Sequence, residues 1–231
     1  MRWREMVAGV RGNLYHSAEL ARYFLQQESA PMQSDKRSNK TWIHSELFAL
    51  ALTLVLVTAA RSSLADHYYV PTGSMEYSLL PGDRVVVDKT AYGLRVPLTK
   101  IDILGARTPE RGDVAVFDSP RDGTRLIKRI VAVGGDTVTL AGGRLAVNGQ
   151  PLGDEVIERF DDAQALLNLR DGGGPDIGSL TVPLGMVLAL GDHRGDSVDG
   201  RYFGLIDERE LFGRAIAIYY RRGEGFVWKE L

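Results

Sequence analysis

The chain has 231 residues, of which 44% are hydrophobic and 25% charged, enough for one domain with a real core plus appendages. A formal net charge of -2 gives no electrostatic reason to expect a nucleic-acid partner. With no cysteine, the sequence excludes a disulfide framework, a thiolate nucleophile and Cys-ligated zinc.

Residues 1–41 form a basic tail carrying Arg2, Arg4, Arg11, Arg22, Lys36, Arg37 and Lys40. A loose helical spacing at Met6, Val10, Leu14, Leu20 and Phe24 suits either a membrane-surface helix or a solvent-exposed one. From Gln27 to Asn39 the chain reads as a linker. The most apolar stretch, Leu47 to Ala60, is about 14 residues or about 21 Å as a helix, short for a bilayer core of roughly 30 Å. Trp42 and Ile43 lengthen it on one side, and Ser62, Ser63 and Leu64 on the other. Arg61 can snorkel, and Tyr68 and Tyr69 resemble an interfacial aromatic belt. The reading is one transmembrane helix over residues 42–64; a buried core helix is the alternative. After Arg61 no lysine or arginine follows until Arg84, so the positive-inside rule places the N-terminus in the cytoplasm and residues 65–231 on the exported side. A cleaved signal peptide fits poorly, because the apolar run begins more than 40 residues in and no clean small-x-small site precedes the domain.

Beyond Tyr69 the pattern is mainly β. Arg84–Asp88, Val114–Phe117, Leu126–Val133, Thr137–Leu140, Arg144–Val147, Met186–Leu190 and Ala215–Tyr220 are each strand-like, and the 26 glycines suit many tight turns. Asn148-Gly149 predicts a type I′ hairpin. The one predicted helix in this part runs from about Ile157 to Arg170, ending at Asp171-Gly172-Gly173-Gly174-Pro175. Residues 141–182 read as a subdomain inserted into the β core.

Chemistry centres on Pro71-Thr72-Gly73-Ser74-Met75. A serine hydroxyl attacks carbonyls only where a neighbour takes its proton. Of the four histidines, His16 and His44 lie on the cytoplasmic side of the proposed span and His67 is close to the bilayer exit. His193 is the one histidine placed to serve. Lysine is the other known partner, provided burial favours its neutral amine. In Leu126-Ile127-Lys128-Arg129-Ile130-Val131-Ala132, strand alternation puts Lys128 on a face with Leu126, Ile130 and Ala132, all apolar, while Arg129 points the other way. The same pattern also fits an edge-strand lysine with its amine in water.

Four segments, in order, resemble the boxes of type I signal peptidases, a Ser/Lys serine protease family. They are Pro71–Met75, Arg111–Phe117, Ile127–Asp136 and Gly191–Gly204, after a correctly oriented anchor. The resemblance implies a complex β fold of the signal-peptidase and self-cleaving-repressor type, with an inserted subdomain and one preceding transmembrane helix. It implies Ser74 as nucleophile and Lys128 as general base. It further implies Ser74 N–H and the Thr72 hydroxyl as the oxyanion hole, Ser197 holding the Lys128 amine, and Asp199 with Arg201 as a supporting ion pair. Met75, Leu79 and Ile127 would help line a pocket for a small residue. The implied substrates are signal peptides of exported preproteins, cut after a small-x-small motif at a bacterial plasma membrane, with no metal or cofactor.

The sequence departs from that pattern in places. Tyr77 stands where a proline is usual, His193 where asparagine is common, Gly200 where serine is common, and Gly134-Gly135-Asp136 replaces a Gly-x-Pro-Gly-Asp ending. These bear on substrate preference. A specialised peptidase maturing a pilin or a few clients would share every motif. A self-cleaving repressor would carry a DNA-binding domain and no anchor; a membrane-tethered β binding module would leave Ser74 unreactive; a Ser74/His193 dyad would make the histidine the base.

Overall fold

The computed structural model describes residues 44–54, 57, 65–95, 102–104, 107–154 and 156–231. The basic tail, its surface-helix and linker expectations, and the expected extensions of the apolar run at Trp42, Ile43 and 61–64 lie outside them. The chain divides into two compact units, Met1–Thr53 and Leu54–Leu231. In the first, residues 44–53 are helical, with Leu47, Phe48, Leu50 and Leu52 exposed. Among the described residues no helix is long and apolar enough to cross a membrane.

The second unit is mainly β. Its elements are β1 (Ala65–Tyr69), β2 (Arg84–Asp88), β3 (Leu94–Arg95), β4 (Asp102–Leu104), β5 (Val114–Asp118), β6 (Arg125–Val133), β7 (Thr137–Ala141), β8 (Arg144–Val147), β9 (Gln150–Pro151), β10 (Gly153–Asp154), β11 (Ile157–Arg159), β12 (Gln164–Leu166), β13 (Ile177–Thr181), β14 (Met186–Leu190), the one-turn helix α1 (Gly200–Phe203), β15 (Ile206–Asp207), β16 (Leu211–Arg221) and β17 (Gly225–Glu230). The main sheet runs β1-β2-β16-β5-β6-β14-β15, with β17 also on β16, and its pairings are antiparallel. Between β6 and β14 the chain leaves this sheet and builds two smaller ones, β13-β7-β8-β9 and β10-β11-β12. All seven predicted strands are present. The expected hairpin forms too: Asn148 and Gly149 have φ of 54° and 78°, and Val147 pairs with Gln150.

One expectation is corrected. Residues 157–170 are not a helix: Ile157–Arg159 and Gln164–Leu166 pair antiparallel around a turn closed by Phe160 N–H donating to Ala163 O. Their helix-forming composition yields to sheet pairing and to a buried partner for Glu158, described below. Tyr68 sits on β1, packs edge-on against Phe212 and accepts a hydrogen bond from Arg125.

Three apolar clusters fill the unit. Val70, Met75, Leu79, Val85, Val87, Val114, Val116, Ala215 and Ile218 form the first. Ala115, Phe117, Ile130, Val187, Ala189, Ile206 and Leu211 belong to the second, and Val131, Ala132, Val138, Leu140 and Leu188 to the third. Burial of each large aliphatic side chain contributes about 1.5–3 kcal/mol.

Candidate active site

Val70 follows β1 and is locked to the chain beyond the next turn, donating to Asp83 O and accepting from Gly82 N–H, both at 2.9 Å. The turn between is closed by Glu76 N–H donating to Gly73 O and Leu79 N–H to Met75 O. Met75 and Leu79 plug it into the first core cluster at 1% and 0% exposure. Ser74 is left half-buried at its crest.

Lys128 lies mid-strand on β6, opposite Ala115 of β5. Leu126 and Ile130, two residues to either side, belong with Ala115 to the second cluster, so the lysine stem rises through apolar surroundings. The expected face does not extend to Ala132: a bulge leaves Val131 unpaired, and Val131 and Ala132 both enter the third cluster. Lys128 is 3% exposed and its amine is 2.5 Å from Ser74 Oγ. Burial pushes the amine down to about 8; the Asp199, Asp192 and Asp196 carboxylates oppose this and Arg201 assists it.

The loop after β14 closes the site. A Cβ on Gly191 would stand 2.2 Å from Ser197 Oγ and 2.4 Å from the Ser74 carbonyl oxygen, so only glycine lets these two segments approach. His193 N–H donates to the Ser74 carbonyl at 3.2 Å, pinning the loop to Ser74. Asp199 caps α1 and accepts from Arg201 Nε and Nη2, both at 2.8 Å, and from Gly191 N–H at 2.9 Å. Burial raises the Asp199 carboxyl, but Arg201, Gly191 N–H and the nearby Ser197 hydroxyl outweigh it and hold the group below its usual range. Arg201 also donates to Gly173 O at 2.7 Å.

Ser74 and Lys128 are thus brought together, and the Thr72 hydroxyl stands 3.4 Å from Ser74 Oγ. Among the described residues none accepts from Ser74 N–H, which leaves it available to a ligand. Asp199 and Arg201 form the expected ion pair. Ser197 is buried, yet its hydroxyl meets no partner in full hydrogen-bond geometry, so the expected bond to the Lys128 amine is not made. Of the three expected pocket residues only Ile127 keeps exposed surface; Met75 and Leu79 are closed in the core. His193 does not reach the Ser74 hydroxyl: its Nε2 is 2.8 Å from Asp171 Oδ2 and its Nδ1 is 3.9 Å from Glu76 Oε2. Among the described residues no cluster of His, Asp or Glu is arranged to hold a metal ion.

Sequence reasoning missed a set of buried ion pairs that braces these segments. Arg129, 2% exposed, holds Asp192 through Nε–Oδ1 at 3.0 Å and Nη2–Oδ2 at 2.8 Å, and donates to Gly112 O and Ser78 Oγ. Ser78 donates to Asp192 at 2.6 Å, which ties the nucleophile turn to both β6 and the β14 loop. Arg221 binds Asp83 and reaches Ser78 O at 3.3 Å. Arg194 grips Glu158 at 2.9 and 2.6 Å and donates to Gly143 O, fastening the small sheets to the same loop. A charged residue inside an apolar strand, as Arg129 is, was the only signal available.

A hydroxyl on a fixed turn, against a desolvated amine and beside a free N–H and a second hydroxyl, is equipped for nucleophilic attack on a carbonyl. A family model described as signal peptidase, peptidase S26, matches residues 40–220. The chain belongs to that family, whose members are peptide-cutting hydrolases. It is 31% identical over 195 residues to the signal peptidase I of Pseudomonas aeruginosa, covering 72% of this chain and 68% of the relative. It is 30% identical over 179 residues to that of Leptolyngbya laminosa, covering 74% and 76%. A probable signal peptidase I-2 of a Synechocystis species is 30% identical over 188 residues, covering 78% and 74%.

Proposed function

We propose that the chain removes N-terminal signal peptides from exported preproteins, after a small-x-small motif, by a Ser74/Lys128 acyl-enzyme mechanism. The 2.5 Å approach of a buried Lys128 amine to Ser74 Oγ carries this reading. Neutral Lys128 takes the hydroxyl proton as Ser74 attacks the scissile carbonyl. Ser74 N–H and the Thr72 hydroxyl meet the developing oxyanion, where one preorganised donor contributes about 3–4 kcal/mol. Lys128 then protonates the leaving amine and activates the water that releases the acyl product. Asp199 and Arg201 hold the loop behind the amine without touching substrate, and Ser197 stands on that same loop. Ile127 is the exposed edge of the small-residue pocket, with Met75 and Leu79 as the packed wall beneath.

In this reading residues 42–64 anchor the chain once in a bacterial plasma membrane, residues 1–41 are cytoplasmic, and residues 65–231 form the exported catalytic domain with 141–182 inserted. The basic tail and the exposed leucines of the helical residues 44–54 support it. Anchoring would confine enzyme and signal peptide to one surface and raise their effective concentration. Detergent-solubilised full chain is to be given a preprotein beside its Ser74→Ala and Lys128→Ala variants. Cleavage at a substantial rate by wild type alone is expected; turnover by either variant close to the wild-type rate refutes the dyad, and an unlabelled Ser74 with an acylating probe favours a non-catalytic binding module.

A further inference from the structure

Glu76 lies two residues after Ser74 on the same turn, with its side chain 31% exposed. Its Oε1 is 2.8 Å from where a Cβ on Gly73 would stand, so the carboxylate covers the residue just before the nucleophile. Oε2 accepts from the Asn168 amide at 3.3 Å and faces His193 Nδ1 at 3.9 Å. Among the described residues no lysine or arginine pairs with it.

His193 makes no hydrogen bond to Glu76, because Nδ1 stands 3.9 Å from Oε2. A carboxylate only accepts, so the 2.8 Å contact with Asp171 assigns the proton to Nε2. His193 Nδ1 is buried without a hydrogen-bond partner, on a side chain only 8% exposed, and it is aimed at Glu76. Asp171 and Asp196 are both exposed nearby, and the charge of Asp196 is felt at Lys128.

We propose that Glu76, on an acidic lip shared with Asp171 and Asp196, is a specificity-determining residue selecting substrates with a lysine or arginine beside the scissile bond. This rests on the peptidase reading above. An ammonium or guanidinium donates to the exposed side of Glu76 as a charge-assisted hydrogen bond. It also cancels a negative charge that would oppose the oxyanion forming next to Gly73. A basic substrate residue therefore lowers KM and raises kcat together, whereas a merely structural Glu76 would leave substrate charge without effect.

The test uses the full chain in detergent and matched peptides in which one lysine, or one methionine of similar length, is scanned through the positions flanking the scissile bond. At low salt the wild type is expected to prefer lysine at one position by about three- to tenfold in kcat/KM, with the preference shrinking as salt is raised. Glu76→Gln should erase that ratio and Glu76→Lys should invert it toward a glutamate-bearing peptide; the isosteric Gln variant suffices if the Lys variant does not fold. Equal wild-type rates on cleaved lysine and methionine peptides, or an unchanged ratio in Glu76→Gln, overturn the inference alone. Failure to cut any peptide, with Ser74 unlabelled by an acylating probe, overturns the peptidase reading and this inference with it.

Discussion

Lys128 and Arg129 are neighbours on β6, both buried, and they project to opposite sides: the amine meets Ser74 while the guanidinium clamps Asp192. One cation is left without a paired carboxylate and loses affinity for its proton; the other is fully paired and keeps its charge. The strand therefore carries an amine of lowered proton affinity and a brace at consecutive positions.

Cleavage should depend on pH through the base. With the Lys128 amine pulled down to about 8, the rate is expected to rise with pH through that value as the neutral form fills. Asp199 works against the shift, so Asp199→Asn should move the inflection to lower pH. Lys128→Ala is expected to lower kcat/KM by about 10²–10⁴-fold or more. An initial-rate series from pH 6 to 10 measures all three.

Stability should carry an imprint of the same amine, in the same direction. Its folded-state value lies below the ordinary 10.5, so between about 8 and 10.5 the unfolded chain holds a proton that the folded chain has released. Stability accordingly rises with pH across that window, and the burial cost is fully present below it. Lys128→Met should be more stable than wild type at pH 7, by on the order of 3 kcal/mol, and the gap should close toward pH 10.5. Urea unfolding at several pH values reads this directly.

Breaking the brace should be costly. Asp192→Ala leaves Arg129 buried without its carboxylate and Ser78 without its acceptor. The expected destabilisation is about 3–5 kcal/mol. Arg129→Met with Asp192→Leu should lose less, since no orphan charge remains. Chemical denaturation of the single and double variants decides it.

A methyl group at Gly191 should act on activity more than on folding. It would collide with the Ser74 carbonyl and the Ser197 hydroxyl, so Gly191→Ala is expected to displace the nucleophile. The check is kcat falling by about tenfold or more while the thermal midpoint shifts by only a few degrees.

The strands and the reactive pair were legible because they depend on local pattern: β-branched runs, glycine punctuation, and a lysine two residues from apolar neighbours on each side. The apparent helix at 157–170 misled because Ala, Gln, Leu and Glu favour helices, while what decides the outcome is Arg194, 36 residues from Glu158. Arg129 with Asp192 and Arg221 with Asp83 are separated by 63 and 138 residues, beyond any periodicity. Met75 and Leu79 look like pocket residues from their place beside Ser74, and only the packing of β2, β5 and β16 encloses them.

The longest strand, Leu211–Arg221, is wedged between β2 and β5 in the middle of the main sheet. Ribosomes deliver Ser74 and Lys128 well before that strand, and Arg221, which props the nucleophile turn, comes at its very end. Without β16, β2 and β5 would each present an unpaired edge and the turn at Ser74 would lose its Arg221 contact, so this late strand joins the part of the sheet beside Ser74 to the part that carries Lys128.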